Sequence, residues 1–288
     1  MQADWVRSRL RRRVLTTFPF SRLRAQDYRN RLAHHAGPAM AYPLLGEICS
    51  AFTTTGAMRL DGAGTALLFG ILGDLSRICE KAHSVLAASE VSLIENEAAL
   101  IASPALYRMG LAPLVLDLAE ACLGLDCFYL GATLKCEKAD GRVNGTRQWH
   151  MDIEDEKLFR ILLYLAPVTA DGGPFEFFPR APSRAIKEQL NYRSGYVSET
   201  EIAESAPREL VRQCTGIAGD AVIFDGAGVF HRGRRPVDQD RYSVTFAYCS
   251  RCPLELRSSA RLPRRLHSAF LATLSARERQ AIPPPRSF

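Results

Sequence analysis

The 288-residue sequence lacks the glycine-rich motifs that identify several common enzyme classes. It contains no G-x-x-x-x-G-K, no G-x-G-x-x-G and no G-x-S-x-G segment, so neither a phosphate-binding loop nor a nucleophile-elbow hydrolase is indicated. Its longest apolar run, around residues 65–73, is much shorter than the ~20 apolar residues that span a bilayer. With 47% apolar residues and no repeat, the chain is expected to be a soluble globular protein without a membrane partner.

Paired cysteines are also scarce. Only one C-x-x-C occurs among the eight cysteines, at Cys249 and Cys252, whereas a structural zinc site usually takes two such pairs. Ordinary reduced thiols are therefore expected, as in a cytoplasmic protein. No apolar signal-peptide segment follows the N-terminal arginine cluster, which also favours the cytoplasm; an organelle transit peptide is the alternative.

Lysine supplies only five of the 37 basic residues, and the formal net charge of +6 is unevenly distributed. Residues 1–31 carry nine arginines and two aspartates, a net of +7, whereas residues 32–288 carry 28 basic and 29 acidic residues, a net of −1. The candidate partners of this basic N-terminal arm are an acidic carrier protein and a second copy of the chain. Nucleic acid is not expected as a partner, because the neutral body has no excess of cations to follow a phosphate backbone.

Residues 32–288 are expected to form a single domain with three parts. A helical part (32–126) precedes a β region (127–252), and a helical tail (253–288) ends the chain. In the β region, short apolar segments alternate with turns rich in Gly, Pro, Asn and Asp. This pattern is typical of a mainly β (α+β) fold with flanking helices, built as a sandwich or jelly roll rather than a parallel sheet.

Apolar spacing and turn residues locate the individual elements. Helices are predicted over 66–90, 114–123 and 268–280. Pro113 and Gly124 bound the second helix, in agreement with the preference for Pro at the start of a helix and Gly after its end. Strands are predicted over 128–136, 146–152, 158–166, 174–179, 209–214, 221–224 and 242–249.

The most informative segment is Arg147-Gln148-Trp149-His150-Met151-Asp152. Residues i and i+2 of a strand point to the same side, so His150 and Asp152 are expected to project together. A turn, an apolar strand and a second turn then lead to His231. Two histidines and one carboxylate could form the facial triad of non-haem Fe(II) oxygenases, which leaves three metal positions open.

A second polar pair follows ten residues after His231. Arg241 and Ser243 have the same i, i+2 spacing on a predicted strand, so the guanidinium and the hydroxyl face the same way. Arginine offers planar, bidentate donation to a carboxylate. The pair therefore indicates a receptor for a carboxylate close to the candidate metal ligands.

This set of motifs resembles the Fe(II)/2-oxoglutarate-dependent oxygenases. The roughly 80-residue gap between His150 and His231, with the segment G-G-P-F-E-F-F-P at 172–179 inside it, is most similar to the phytanoyl-CoA dioxygenase-like branch. The resemblance covers roughly residues 128–249. It implies a double-stranded β-helix (a cupin-like jelly roll) with flanking helices.

The resemblance also implies roles for particular residues. His150, Asp152 and His231 would bind Fe(II), while Arg241, helped by Ser243, would bind the distal carboxylate of the cosubstrate 2-oxoglutarate. O2 would enter once substrate is present, and the reaction would hydroxylate an unactivated C–H of a small molecule, amino-acid-derived or a natural product. Related radical halogenases have Gly or Ala at the position of Asp152, so hydroxylation, desaturation or ring formation is favoured over halogenation.

Five further residues are candidates for contacts with cosubstrate or substrate. Thr133 and Lys135 lie on the strand before the H-x-D motif, from which such enzymes often supply another polar group. Arg160 and Tyr164 share one face of a predicted strand and could line the cavity. Trp149 is expected either in the core or in the pocket wall, since adjacent strand residues face opposite sides.

The sequence leaves several functional hypotheses open. Desaturation and ring formation in natural-product biosynthesis would begin with the same hydrogen abstraction as hydroxylation. A nucleic-acid demethylase would use the same chemistry, although the neutral body does not indicate a phosphate-tracking groove. A non-catalytic jelly-roll binding module is the remaining alternative. The acidic residues 154–156 are expected in a solvated turn near the site entrance, where they could also receive a cationic substrate.

Overall fold

The computed structural model of the chain describes residues 10–35, 37–38, 42–71 and 73–286. Within these residues it combines helices with two antiparallel sheets. The expected combination of antiparallel strands with flanking helices is confirmed, but the fold is mixed rather than mainly β, because more of the described residues lie in helices than in strands. In the part of the chain described, no helix is long and apolar enough to cross a membrane.

Nine strands of the described residues form the two sheets. They are β1 (Ala57–Leu60), β2 (Leu93–Glu95), β3 (Cys127–Glu137), β4 (Phe159–Tyr164), β5 (Phe175–Phe177), β6 (Arg212–Cys214), β7 (Ala221–Asp225), β8 (His231–Gly233) and β9 (Arg241–Ser250). The larger sheet has the order β1–β7–β4–β9–β3–β2, and the smaller sheet has the order β6–β5–β8. Both edge strands of the larger sheet come from the part of the chain before residue 127.

Helices precede, interrupt and follow the strands. They are α1 (Phe20–His34), α2 (Pro43–Thr54), α3 (Gly62–Phe69), α4 (Leu75–Ala87), α5 (Asn96–Ala102), α6 (Pro104–Met109), α7 (Pro113–Leu123), α8 (Arg180–Gln189), α9 (Glu199–Ser205), α10 (Arg264–Leu271) and α11 (Ala276–Ala281). The predicted boundaries of α7 are confirmed, because Pro113 is its first residue and Gly124 ends it in the left-handed conformation, with φ 74°.

The larger sheet has two different faces because side chains alternate along each strand. On β4, Ile161 and Leu163 belong to the core that the sheet forms with the helices. Leu162 and Tyr164 belong instead to a second core, which they share with Phe175 of the smaller sheet. The second face therefore meets the smaller sheet, and the candidate site lies on this side.

Two helices predicted as continuous are each divided in the structure. The helix predicted over 66–90 is wrong as a single element, because α3 ends at Gly70 in the left-handed conformation (φ 67°) and α4 begins at Leu75. The helix predicted over 268–280 is likewise replaced by α10 and α11. The Ser275 hydroxyl accepts a hydrogen bond from the N–H of Glu278 and so starts a new helix there.

The strands agree with the prediction to different degrees. β3, β4, β5, β7 and β9 match their predicted segments to within two residues. The strand predicted over 146–152 is wrong: Gly145–Arg147 form a 3-10 turn, and the residues after it make only isolated bridges. β1, β2, β8, α8 and α9 were not predicted. The three strands and α9 are too short for a clear apolar periodicity, whereas the amphipathic α8 was overlooked.

The basic arm is described from residue 10 onward, while Arg7 and Arg9 lie outside the described residues. Residues 10–15 are helical and are followed by α1. On α1, Arg24 pairs with Asp155 at 3.0 Å, and both side chains are buried. This end of α1 therefore packs against the body. All eight cysteines are free thiols, as expected.

Candidate metal and cosubstrate site

His150 and His231 face each other across an isolated antiparallel bridge. The N–H of each donates to the carbonyl oxygen of the other, at 3.1 and 3.0 Å. The Nδ1 atoms lie 2.9 Å from the carbonyl oxygen of Gln148 and 3.1 Å from that of Val229, respectively. Because a carbonyl only accepts, Nδ1 carries a proton in both rings, and Nε2 is the ring nitrogen available to a metal ion.

Asp152 completes a group of three converging donors. Its N–H donates to the carbonyl oxygen of Gly226 at 2.8 Å, which fixes this extended segment against the turn after β7. Its carboxylate oxygens lie 3.9 Å from His150 Nε2 and 3.9 Å from His231 Nε2. One donor atom from each residue lies within 4.8 Å of the other two. The three residues predicted as ligands are thus brought together.

The Asp152 carboxylate is closely packed between Arg160 and Gly226. The Nε–H of Arg160 donates to Oδ2 at 2.5 Å. Gly226 packs so closely that a Cβ on it would lie 2.2 Å from the same oxygen. Arg160, predicted to line the cavity, therefore also contacts a candidate metal ligand, and Gly226 is a contact that sequence patterns did not identify.

The protonation states suit metal binding. Burial would raise the pKa of Asp152, but Arg160 and the two histidines outweigh burial and lower the pKa to about 2. Burial, followed by the neighbouring His150, lowers the pKa of His231 to about 3. At neutral pH the site therefore offers a carboxylate and a neutral His231 imidazole, the forms that bind a cation.

A cavity of about 340 Å³ lies beside the three residues. Side chains of the neighbouring strands β3 and β9 form one wall of this cavity, here called its floor. In the β3–β9 register, Lys135 pairs with Ser243 and Thr133 pairs with Thr245. Thr133, Lys135 and Ser243, all predicted as contacts, line this cavity together with Arg160. Antiparallel pairing of β3 and β9 thus places residues more than 100 positions apart side by side.

Arg241 is buried at the Glu137 end of the same floor. Its Nη1 donates to the carbonyl oxygen of Gly173, and its Nη2 lies 3.4 Å from Glu137 Oε1. Its Nε is buried without a hydrogen-bond partner in the described structure. Gly233 makes room for the guanidinium, because a Cβ there would lie 2.3 Å from Nη2.

Glu137 is a functional candidate that sequence reasoning missed. Its carboxylate pairs with Lys135 and Arg241 and accepts from Arg147 Nε at 2.6 Å. Burial would raise its pKa, but Arg241 and Lys135 lower it below the usual range. The signal was present in β3, where polar Thr133, Lys135 and Glu137 alternate with apolar residues.

Two residues predicted as possible cosubstrate or substrate contacts, Tyr164 and Trp149, have structural roles instead. The hydroxyl of Tyr164 donates to the carbonyl oxygen of Cys214 at 2.6 Å and accepts from Phe175 N–H at 3.0 Å, so it joins the two sheets. Trp149 is buried against Phe178 in a separate core. Of the two places expected for Trp149, the structure has the core.

The solvated turn expected at 154–156 is wrong for its first two residues. Glu154 and Asp155 are only 7% and 3% exposed. The Asp155 carboxylate accepts from Ser250 N–H at 2.9 Å and pairs with Arg24. Glu154 instead lines the cavity. The acidic segment is buried because cations and N–H groups from distant segments satisfy it, which local sequence does not reveal.

No model of a known protein family and no curated protein sequence matches the chain. Solved structures do. The chain is similar to the non-heme alpha-ketoglutarate-dependent epimerase SnoN from nogalamycin biosynthesis, with 15% identity over 73% of this chain and 84% of that chain and a TM-score of 0.52. It is similar to EctD from S. alaskensis, solved with 2-oxoglutarate and 5-hydroxyectoine, with 18% identity over 75% and 80% of the two chains and a TM-score of 0.53.

It is also similar to HygX from Streptomyces hygroscopicus, solved with iron bound, with 18% identity over 71% of this chain and 86% of that chain and a TM-score of 0.51. In each case more than two thirds of both chains are aligned. At these identities the likeness concerns the fold. The chain thus shares its fold with three proteins whose descriptions name alpha-ketoglutarate, 2-oxoglutarate or iron.

Proposed function

We propose that the protein is a non-haem Fe(II)/2-oxoglutarate-dependent oxygenase with a jelly-roll core. The observation that carries the proposal is the convergence of His150, Asp152 and His231 beside a cavity whose floor also bears Arg241 and Ser243. The shared fold with SnoN, EctD and HygX supports it. Two neutral imidazoles and one carboxylate are the donor set of the non-haem iron facial triad.

The three residues are oriented to fit an iron ion. Both histidines already donate Nδ1–H to a backbone carbonyl, so that Nε2 is aimed at the shared centre. Arg160 and Gly226 hold Asp152 so that its two oxygens face the two imidazoles. His150, Asp152 and His231 would therefore be the metal ligands.

The opposite end of the floor fits a dicarboxylate cosubstrate. The buried Nε of Arg241 lacks a hydrogen-bond partner among described residues, and a carboxylate would satisfy it by charge-assisted donation. Ser243 and Lys135 line the cavity beside it. We assign Arg241 and Ser243 to the distal carboxylate of 2-oxoglutarate and Lys135 to a supporting cation. Glu137 would keep Lys135 and Arg241 oriented.

With iron, 2-oxoglutarate and O2 bound, the site would supply an oxidant strong enough to attack an unactivated C–H bond. The chain's own residues bind and orient the reactants and enclose the reacting centre. Phe175 and Phe224 pack against the ring of His231, with centroids 5.7 and 5.0 Å away, and keep this side of the site apolar. The cavity volume of about 340 Å³ suits a small-molecule substrate, which we propose to be amino-acid-derived or a natural product.

The test is cosubstrate turnover by the purified protein. Incubation with Fe(II), O2 and labelled 2-oxoglutarate should release labelled succinate, and candidate substrates should accelerate the release. The Asp152→Ala variant should lose both turnover and iron affinity, because one ligand is removed. Absence of succinate from folded, iron-loaded protein across a broad substrate panel would refute the proposal.

A further inference from the structure

The cavity contains three acidic side chains that the proposed chemistry does not use: Glu95, Glu154 and Glu255. Glu154 pairs with Arg257, so the two others are considered next. Glu95 lies on β2, opposite Thr133 in the β2–β3 register, and Glu255 lies in the segment that follows β9. Both line the same cavity as the candidate metal ligands. Neither was a candidate from the sequence, because neither belongs to a motif.

Glu255 is buried, and among the described residues its carboxylate makes one long ion pair and no hydrogen bond. The residue is 5% exposed. The nearest cation recorded for it within the described structure is Arg257, whose Nε lies 3.9 Å from Oε1, beyond hydrogen-bonding distance. An incompletely paired carboxylate at this depth carries a desolvation cost that a bound cation would relieve.

Glu95 adds a second negative charge on another wall. It is exposed and lines the cavity, and no hydrogen bond or ion pair of its side chain occurs within the described residues. The segments that carry Glu95 and Glu255 are hydrogen-bonded to each other, since the Nδ2–H of Asn96 donates to the carbonyl oxygen of Ser259 at 2.7 Å. The Asn96 amide is itself held by the hydroxyl of Tyr107 at 2.6 Å.

The cations that line the cavity already form ion pairs with carboxylates other than Glu95 and Glu255. Arg160 donates to Asp152, and Lys135 pairs with Glu137. Arg257, the cation closest to Glu255, lies nearer to Glu154, at 3.2 Å. The charged side chains that line the cavity have a net charge of −1, because five are acidic (Glu95, Glu137, Asp152, Glu154 and Glu255) and four are basic (Lys135, Arg160, Arg241 and Arg257). The charges of Fe(II) and of the 2-oxoglutarate dianion would cancel, so one negative charge would remain for a cationic substrate to neutralise.

We propose that the substrate is a small organic cation, an amine protonated at neutral pH, whose ammonium group binds Glu255 and is attracted by Glu95. This inference rests on the proposed oxygenase function and adds the chemical class of its substrate. Hydrogen bonds between a charged donor and a carboxylate are about twice as strong as neutral ones, and they strengthen further when water is excluded. An ammonium group at Glu255 would therefore fix the substrate on the side of the cavity away from Arg241.

The experiment compares amines with hydroxyl analogues of the same size. Anaerobic protein loaded with Fe(II) and 2-oxoglutarate is titrated calorimetrically with D-glucosamine against D-glucose and with 1,4-diaminobutane against 1,4-butanediol. At least one amine should bind at least tenfold more tightly than its hydroxyl partner. Glu255→Gln, which keeps the shape of the side chain, should remove most of this preference. Glu95→Gln, at an exposed position, should reduce it without risk to the fold.

Glu90→Gln serves as the matched control, because Glu90 is exposed and outside the cavity, and it should leave the preference unchanged. Equal affinities for amines and hydroxyl analogues, no amine binding at all, or a preference that survives both cavity substitutions would overturn the cation proposal alone. Protein that binds neither Fe(II) nor 2-oxoglutarate would overturn the oxygenase function and the cation proposal with it.

Discussion

Replacing Gly226 by alanine should damage the candidate metal site while leaving the fold intact. The added Cβ would lie 2.2 Å from Asp152 Oδ2, whereas ordinary contact begins at 3.4 Å. Gly226 does not have a positive φ, so alanine fits its backbone and the carboxylate must give way by about 1 Å. Metal–ligand distances tolerate only about 0.2 Å. We therefore expect iron affinity to fall by about 10–100-fold, the usual cost of losing a contact that orients a ligand.

Anaerobic calorimetric titration with Fe(II) measures the affinity, and circular dichroism with thermal melting checks the fold. Gly46→Ala is the matched control, because Gly46 lies in α2 and nothing is within 4 Å of an added Cβ. It should leave iron affinity unchanged and stabilise the helix by about 0.5–1 kcal/mol. Wild-type iron affinity in well-folded Gly226→Ala would refute the assignment of Asp152 as a ligand held against Gly226.

Three further changes test other parts of the structure. Arg241→Met should weaken 2-oxoglutarate binding by at least about tenfold, since a charge-assisted hydrogen bond contributes about 1.5–3 kcal/mol. Arg235→Met, at an exposed position, should leave 2-oxoglutarate binding unchanged. Calorimetry with metal-loaded protein compares the two variants. Tyr164→Phe removes the hydroxyl that joins the sheets through the Cys214 carbonyl and a β5 N–H, so urea denaturation should show a loss of about 1–3 kcal/mol, and unchanged stability would contradict that role. Burial raises the pKa of Asp155 from 3.8 to about 6. Because the pKa is higher in the folded state than in the unfolded state, protonation of this carboxyl stabilises the fold. That stabilisation is complete below pH 3.8 and is lost as the pH rises through about 6. Asp155→Asn should therefore flatten the dependence of unfolding free energy on pH between these values. A pH profile identical to wild type would contradict a folded-state pKa of this carboxyl above its unfolded-state value.

The candidate metal ligands could be predicted from sequence because their chemistry is local. The H-x-D spacing places His150 and Asp152 on one side of any extended segment, even though this segment is not the regular strand expected. His231 could be connected to them less directly, through the turn, apolar strand and second turn that precede it and through the resemblance to a known family. Its actual position depends on the bridge to His150, a contact between residues far apart in sequence.

The remaining site residues depend on strand register, which sequence patterns specify poorly. Glu137 meets Arg241 because β3 and β9 pair in one particular register. Glu255 lies in an irregular segment, and its position in the cavity follows from contacts that no periodicity records. The acidic residue Asp155 looked like part of a solvated turn, yet it is buried because Arg24 from a distant helix reaches it.

Helix boundaries were likewise predictable only where the backbone preference of a single residue sets them. The start of α7 at Pro113 and its end at Gly124 follow from backbone preferences alone. The apolar spacing between 66 and 90 continued across Gly70, so periodicity favoured one helix where the backbone turns. A glycine in the left-handed conformation ends a helix whatever the spacing of the apolar residues around it.

The most direct test of the account is an anaerobic titration that separates metal binding from cosubstrate binding. Wild-type protein should bind one Fe(II) per chain, and 2-oxoglutarate should bind tightly only after the metal. Asp152→Ala should lose Fe(II) binding and, with it, the tight binding of 2-oxoglutarate that depends on the metal. Arg241→Met should keep Fe(II) binding and weaken 2-oxoglutarate binding. Equal binding of 2-oxoglutarate with and without metal, or unchanged iron binding in Asp152→Ala, would contradict the proposed site.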